Sequence, residues 1–319
     1  MMGSAGKLLL VTIGICVCLP LVQCEFYNVG VKYKINLNVF SGNSNPQWVI
    51  DQKSPVYQRL SWAVNRGPPT DLADALGYSG FVVEATNAFG QTAWKSVGRQ
   101  TNRMLETLLL NSCPKSMGLK PAVINHVNSG IIGQYTKKPA PVGPTLSRHI
   151  TITSNDDENV KITHRIFGRK KRQIGVCSTT FNPGAWNYGR VQRRNNCYNY
   201  ATNLQTNTFA QPGRGSGRKY VGPENARNVL EATYRDGLTR LSGPRAGGQC
   251  VIVLVIWPGE DFHFYRLDSN GYWSHKSGRT PARDVDNSGN RILSPETADR
   301  GPYTIIAGYL GVGPSITIR

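Results

Sequence analysis

The sequence predicts an α+β protein, and three observations carry that reading. Val29, Val31, Tyr33, Ile35, Leu37 and Val39 alternate with polar residues, the period of a half-buried strand. Over residues 100–111, Met104, Leu105, Leu108 and Leu109 fall on one helical face. Residues 251–257 form a continuous β-branched run, as in a buried strand.

In chain order, residues 1–24 read as a secretory signal peptide. Lys7 gives the positive start, an apolar run of about 15 residues follows, and cleavage is expected near Cys24. That run is short of the roughly 20 residues of a membrane span and contains Gly14 and Pro20. No later segment is long and apolar enough to cross a bilayer, so no membrane span is expected and the product is read as secreted and extracellular.

Arg169-Lys170-Lys171-Arg172 match the recognition pattern of furin-like processing proteases, with Arg169 and Arg172 at the required ends. The other reading is a solvated charge run. Cleavage there divides the mature chain into an N-terminal region or propeptide, 25–172, and a C-terminal domain, 173–319, each of ordinary domain size. In the first, the strand over 29–39 ends at 42–46, a second strand is expected over 80–88, and 149–153 with 160–167 reads as a hairpin. His126, His149 and His164 are isolated and read as structural or exposed. In the second, 180–189 is loop with aromatic residues, a short helix is expected over 198–205, a Gly-, Arg- and Pro-rich loop covers 211–223, and a helix follows over 224–236. Beyond the strand at 251–257, residues 263–277 read as a hairpin.

The chain carries 37 basic against 19 acidic residues, a net charge of +18 spread along its length. Such a surface favours anionic partners: acidic polysaccharide, acidic matrix protein or a bacterial envelope. No nucleic-acid motif is present, and nucleic acid is not an expected partner. Removing the signal leaves Cys113, Cys177, Cys197 and Cys250 in a compartment that favours disulfides. No Asn-x-Ser/Thr acceptor, cofactor motif or metal-ligand spacing occurs, so no cofactor or metal is expected.

One constellation points to chemistry. Asn195 and Asn196 are both able to cap a helix that Cys197 opens, and a thiol at the positive end of the macrodipole has a lowered pKa. The other reading is that Cys197 forms a disulfide with Cys177 or Cys250. His263 and His275 flank Asp268-Ser269-Asn270-Gly271. A three-residue loop with Gly271 left-handed places Tyr265 opposite His275, and both histidines then share one sheet face. Arg190, Arg193 and Arg194 precede the cysteine, either supporting an anionic site or lying in solvent.

A cysteine opening a helix, then a histidine on one strand and a polar residue about a dozen positions on, resembles the NlpC-type branch of papain-like cysteine hydrolases over roughly 195–277. The resemblance implies a papain-like domain in which a cysteine-bearing helix packs on a small antiparallel sheet. It assigns Cys197 as nucleophile, His263 as general base and His275 as the orienting group, with the Cys197 backbone N–H and either Tyr188 or Asn196 as oxyanion donors. Where that branch has Asp-Cys-Ser-Gly, this chain has Asn196-Cys197-Tyr198-Asn199. Two readings follow. One is a processed zymogen whose C-terminal domain hydrolyses peptide or amide bonds. The other is a non-catalytic extracellular matrix component, for example of a shell or skeletal organic matrix, that binds acidic partners.

Overall fold

In the computed structural model, which describes residues 30–66, 72, 75–99, 102–133, 180–244 and 250–319, the chain is α+β with two antiparallel sheets. The expected signal peptide, the hairpin over 149–167, the tetrabasic run, His149, His164 and Cys177 lie outside the described residues. Among the described residues no helix is long and apolar enough to cross a membrane.

The first sheet has the order β2-β1-β3-β4, built from β1 (Lys32–Asn38), β2 (Gln47–Ile50), β3 (Gly80–Thr86) and β4 (Thr92–Gly98). As the alternation predicts, Tyr33, Ile35 and Leu37 are buried. The ladder stops at Asn38 because the Val39 and Phe40 N–H groups turn away and donate to Asn45 Oδ1, at 3.0 and 2.8 Å. The strand expected over 80–88 ends at Thr86, where Asn87 takes over the turn: its Oδ1 accepts from Phe89 and Gln91 N–H. Against this sheet lie α1 (Tyr57–Arg66), α2 (Arg103–Asn111) and α3 (Pro121–Ile132). Within the span expected to be helical, α2 starts at Arg103, because the Asn102 side chain accepts from Leu105 N–H and caps it.

The second sheet has six strands in the order β5-β10-β6-β7-β8-β9, every pair antiparallel. They are β5 (Thr239–Leu241), β6 (Cys250–Trp257), β7 (Asp261–Leu267), β8 (Trp273–Lys276), β9 (Ala282–Arg283) and β10 (Ile305–Val312). The run expected as a buried strand is β6, enclosed on both faces. The helices of this half are α4 (Gly189–Arg194), α5 (Cys197–Ala201) and α6 (Ala226–Arg235), the last capped by Asn225. The helix expected to reach residue 205 ends at Ala201, and Asn203 turns the chain with φ +58°.

The two faces of the second sheet meet different neighbours. Ile252, Leu254, Ile256, Phe262 and Phe264 pack with Cys197, Tyr198 and the apolar side of α6. Val251, Val253, Val255, Trp257, Tyr265 and Trp273 join one continuous core with β1, β3, α1, α2 and α3. Residues on both sides of the tetrabasic run therefore share a core. Trp257 stands at the join, edge-on to Phe40, His126 and Tyr303 with ring centroids 6.0, 4.9 and 6.1 Å away. Truncating it, Trp257→Ala, is expected to lower stability by about 3–5 kcal/mol. Hydrogen exchange under denaturant checks the shared core: protection should fall together in β1 and β6, whereas loss confined to β6 would mean independent cores.

Candidate functional site

Cys197 is the first residue of α5, and the helix begins there because Asn196 and Asn199 form a reciprocal cap. Asn196 Oδ1 accepts from Tyr198 and Asn199 N–H at 3.1 and 3.3 Å, and Asn199 Oδ1 accepts from Asn196 N–H at 3.2 Å. All five residues of α5 are buried. Tyr198 stacks on Phe264 at 4.9 Å. Below the helix, the hairpin face that carries Arg266, Asp268, Ser274 and Lys276 is buried. Arg266 pairs with Asp268 at 2.9 Å and donates to the Tyr200 carbonyl and hydroxyl. Lys276 Nζ donates to the carbonyls of Gln192, Asn195 and Gly278 at 2.6, 2.6 and 2.5 Å. Burial brings the Lys276 pKa down to about 7. These two cations anchor α5 from beneath by bonding its carbonyls and those leading into it.

The histidine hairpin has the expected register. Tyr265 faces His275, Leu267 faces Trp273, the Asp268 N–H donates to the Tyr272 carbonyl, and Gly271 is left-handed at φ +84°. His263 and His275 consequently lie on one face, with His263 Nε2 3.0 Å from His275 Nδ1. At its far side the His275 Nε2 lies 3.0 Å from the Val285 carbonyl and 3.1 Å from Arg283 Nε. Burial holds both imidazoles well below their ordinary range, so both are neutral at pH 7.

That face is the one opposite α5. Phe262 and Phe264 point to the Cys197 side, and His263 and Tyr265 point to the N-terminal half. The structure brings the two histidines together but does not bond either of them to the thiol. What occupies the position between them is a turn of the N-terminal half. Ser41 Oγ lies 2.5 Å from His263 Nδ1. The N–H groups of Ser41, Gly42 and Asn43 all donate to the Asp261 carboxylate, at 2.5, 3.1 and 2.8 Å, and Tyr303 Oη adds a fourth donor at 2.6 Å. The Gly42 carbonyl accepts from Asn196 Nδ2 at 3.0 Å and from Gln211 Nε2 at 2.8 Å. Gly42 must be glycine, since a Cβ there would run into the Phe262 ring. Asn196, expected as an oxyanion donor, has its amide directed at Gly42 and Ala210, while Tyr188 is 56% exposed.

Cys197 is a free thiol, as is Cys113, whereas Cys250 is disulfide-bonded. Its Sγ lies 4.0 Å from the Phe262 carbonyl, and Ser41 is its side-chain partner. Burial, helped by the nearby Asp261 charge, pushes its pKa up to about 12. The expected thiolate is therefore absent at neutral pH. Arg169 and Arg172, the expected processing residues, lie outside the described residues. Among the described residues no group of three or more His, Cys, Asp or Glu side chains is placed to hold a metal ion. Ser41, Asp261, Gln211 and Tyr303 were not singled out by the sequence, where residues 42–46 read only as the end of a strand.

Two measurements follow. Native-state alkylation at pH 7.5 should modify the half-buried Cys113 and leave Cys197 intact until denaturant is added; peptide mass mapping that found Cys197 labelled first would mean an open, activated thiol. Stability should also fall as pH drops below 6.5. His126, lowered to about 4 by burial, and His263 and His275, also held well below their ordinary value by burial, stay neutral in the fold while the unfolded chain takes up protons. Each costs about 1.4 kcal/mol per pH unit in that range. Asp261, raised to about 6 by burial, opposes this between roughly pH 4 and 6, because its protonated form is favoured in the fold. Denaturation midpoints at pH 7.5 and 5.5 test the sign, and His275→Gln should flatten the dependence.

No family model and no solved structure matches this chain. It is 66% identical over 147 residues to a protein of Ruditapes philippinarum described as insoluble matrix shell protein 1, a match covering 45% of this chain and 97% of the relative. On that likeness the chain belongs to the family of insoluble matrix shell protein 1.

Proposed function

We propose that this chain is a secreted, non-catalytic component of an extracellular organic matrix, of the kind laid down in a shell, and that it associates there with acidic matrix partners. The observation that carries the reading is the 66% identity to a protein whose name places it in the insoluble matrix of a shell. The state of the cysteine site supports it: a buried thiol held at about 12, two neutral imidazoles on the opposite sheet face, and a turn bonded into the space between them. A nucleophile needs a thiolate and access, and this arrangement offers neither. In this reading the papain-like arrangement serves as a scaffold, since a fold can keep a site's residues without its activity. The net charge of +18 supplies the attraction to acidic partners.

Processing after Arg172 by a furin-like protease fits the same reading. Because the described parts of both halves share a core and the Asp261 contacts, cleavage is proposed to leave them associated rather than to release an enzyme. The test is extraction: after decalcifying the mineralised tissue of the source organism, peptides from 30–133 and from 173–319 should both be found in the insoluble residue, with Gln173 as a new N-terminus. Recovery of the chain only in the soluble fraction would overturn the matrix reading, and recovery of 173–319 alone would overturn the continued association.

A further inference from the structure

Between the outer face of the first sheet and the α4 side of the second half lies a cleft of about 1250 Å³. Arg190, Arg193, Arg194 and Arg279 line it, and among the described residues no aspartate or glutamate does. Among the described residues none of these four arginines forms an ion pair. Their charge is thus left for a ligand, unlike that of Arg227, which is held by Glu231 at 2.9 Å in a cleft elsewhere on the surface. One further feature defines the ligand. Trp94 contributes an indole that is 65% exposed, a flat apolar face in the lining of the cleft.

We propose that this cleft binds an acidic polysaccharide, its carboxylate or sulfate groups taken by the arginine forks and the apolar face of a sugar ring by Trp94. The guanidinium fork matches the oxygen pair of a carboxylate or of a sulfate in spacing as well as charge. An acidic polypeptide satisfies the arginines equally but has no flat ring face for the indole. The cleft exists only while the two halves stay together, because Asn36 and Trp94 come from one side of the tetrabasic run and the four arginines from the other.

The proposal deepens the matrix reading by naming a partner class and its place, but the binding test stands apart from it. The whole protein is passed over immobilised alginate at 0.15 M NaCl, with dextran as neutral control and polyaspartate as acidic peptide. Alginate should be bound and dextran not, and Arg193→Ala with Arg194→Ala should weaken alginate binding tenfold or more. Trp94→Ala should weaken alginate severalfold and leave polyaspartate unchanged. Arg227→Ala with Arg240→Ala, the same loss of charge in the other cleft, should change alginate binding less than twofold. Equal losses from the two arginine pairs would mean diffuse attraction and overturn the site. An indifferent Trp94→Ala together with tighter polyaspartate binding would make the cleft an acidic-peptide surface and overturn the polysaccharide assignment. If these binding results hold and the chain is absent from the insoluble residue, the matrix reading fails and the cleft remains.

Discussion

The Asp261 carboxylate organises the junction on which the candidate site depends. It is fully buried, and a buried carboxylate is tolerated only when its oxygens are filled. Three consecutive backbone N–H groups of the N-terminal half and the Tyr303 hydroxyl fill them. Even so, burial outweighs the four donors, and the pKa is still raised to about 6. The consequence is geometric: three successive N–H groups fixed on one carboxylate leave the 41–43 turn no freedom. Ser41 is thereby set against His263, and the Gly42 carbonyl against Asn196 and Gln211.

With that turn in place, the competition at Cys197 has a clear winner. A helix N-terminus favours an anion by about 0.3–1 kcal/mol, and here the helix has only five residues. Raising a thiol from its ordinary value near 9 to about 12 corresponds to about 4 kcal/mol against the thiolate. Lys276 is near enough to favour the anion, but its own pKa is brought down to about 7 and its three protons are directed at carbonyls. The charged groups that surround α5 hold the helix rather than activate its thiol.

Much of this was legible in the sequence where the signal is local. The alternation around Tyr33, the N-cap at Asn196 and the Asp268–Gly271 loop are decided by neighbours within a few residues, and the structure has each of them. The pairing of His263 with His275 followed from loop parity alone. The missing parts depend on contacts far apart in the chain. β10 contains Gly308 and Gly311, which weaken any strand pattern, and becomes a strand through its pairing with β6. Gly42 read as a strand end and Ser41 drew no reading because nothing near them announces Asp261, some 220 positions away. The same distance effect explains why Cys197 looked activated: the helix cap is visible locally, whereas the turn that buries the thiol is not.

The arrangement also separates two uses of positive charge. Inside, Arg266 and Lys276 are each fully bonded, to a carboxylate and hydroxyl or to carbonyls, and they make α5 rigid. Outside, α4 carries Arg190, Arg193 and Arg194 with their charge uncommitted among the described residues, although its carbonyl ends are held by Lys276 through Gln192. An internal cation therefore fixes the position of the external ones. At physiological salt, charges farther apart than about 8 Å are largely screened, so scattered arginines would give only loose attraction to a polyanion. A group gathered on one short helix and joined by Arg279, whose carbonyl accepts from Gln192 of that helix, acts on the same few ligand charges at once. For a protein proposed to persist in an insoluble matrix, that difference matters more than the total of +18, because it turns general basicity into a site with a definite place on the fold.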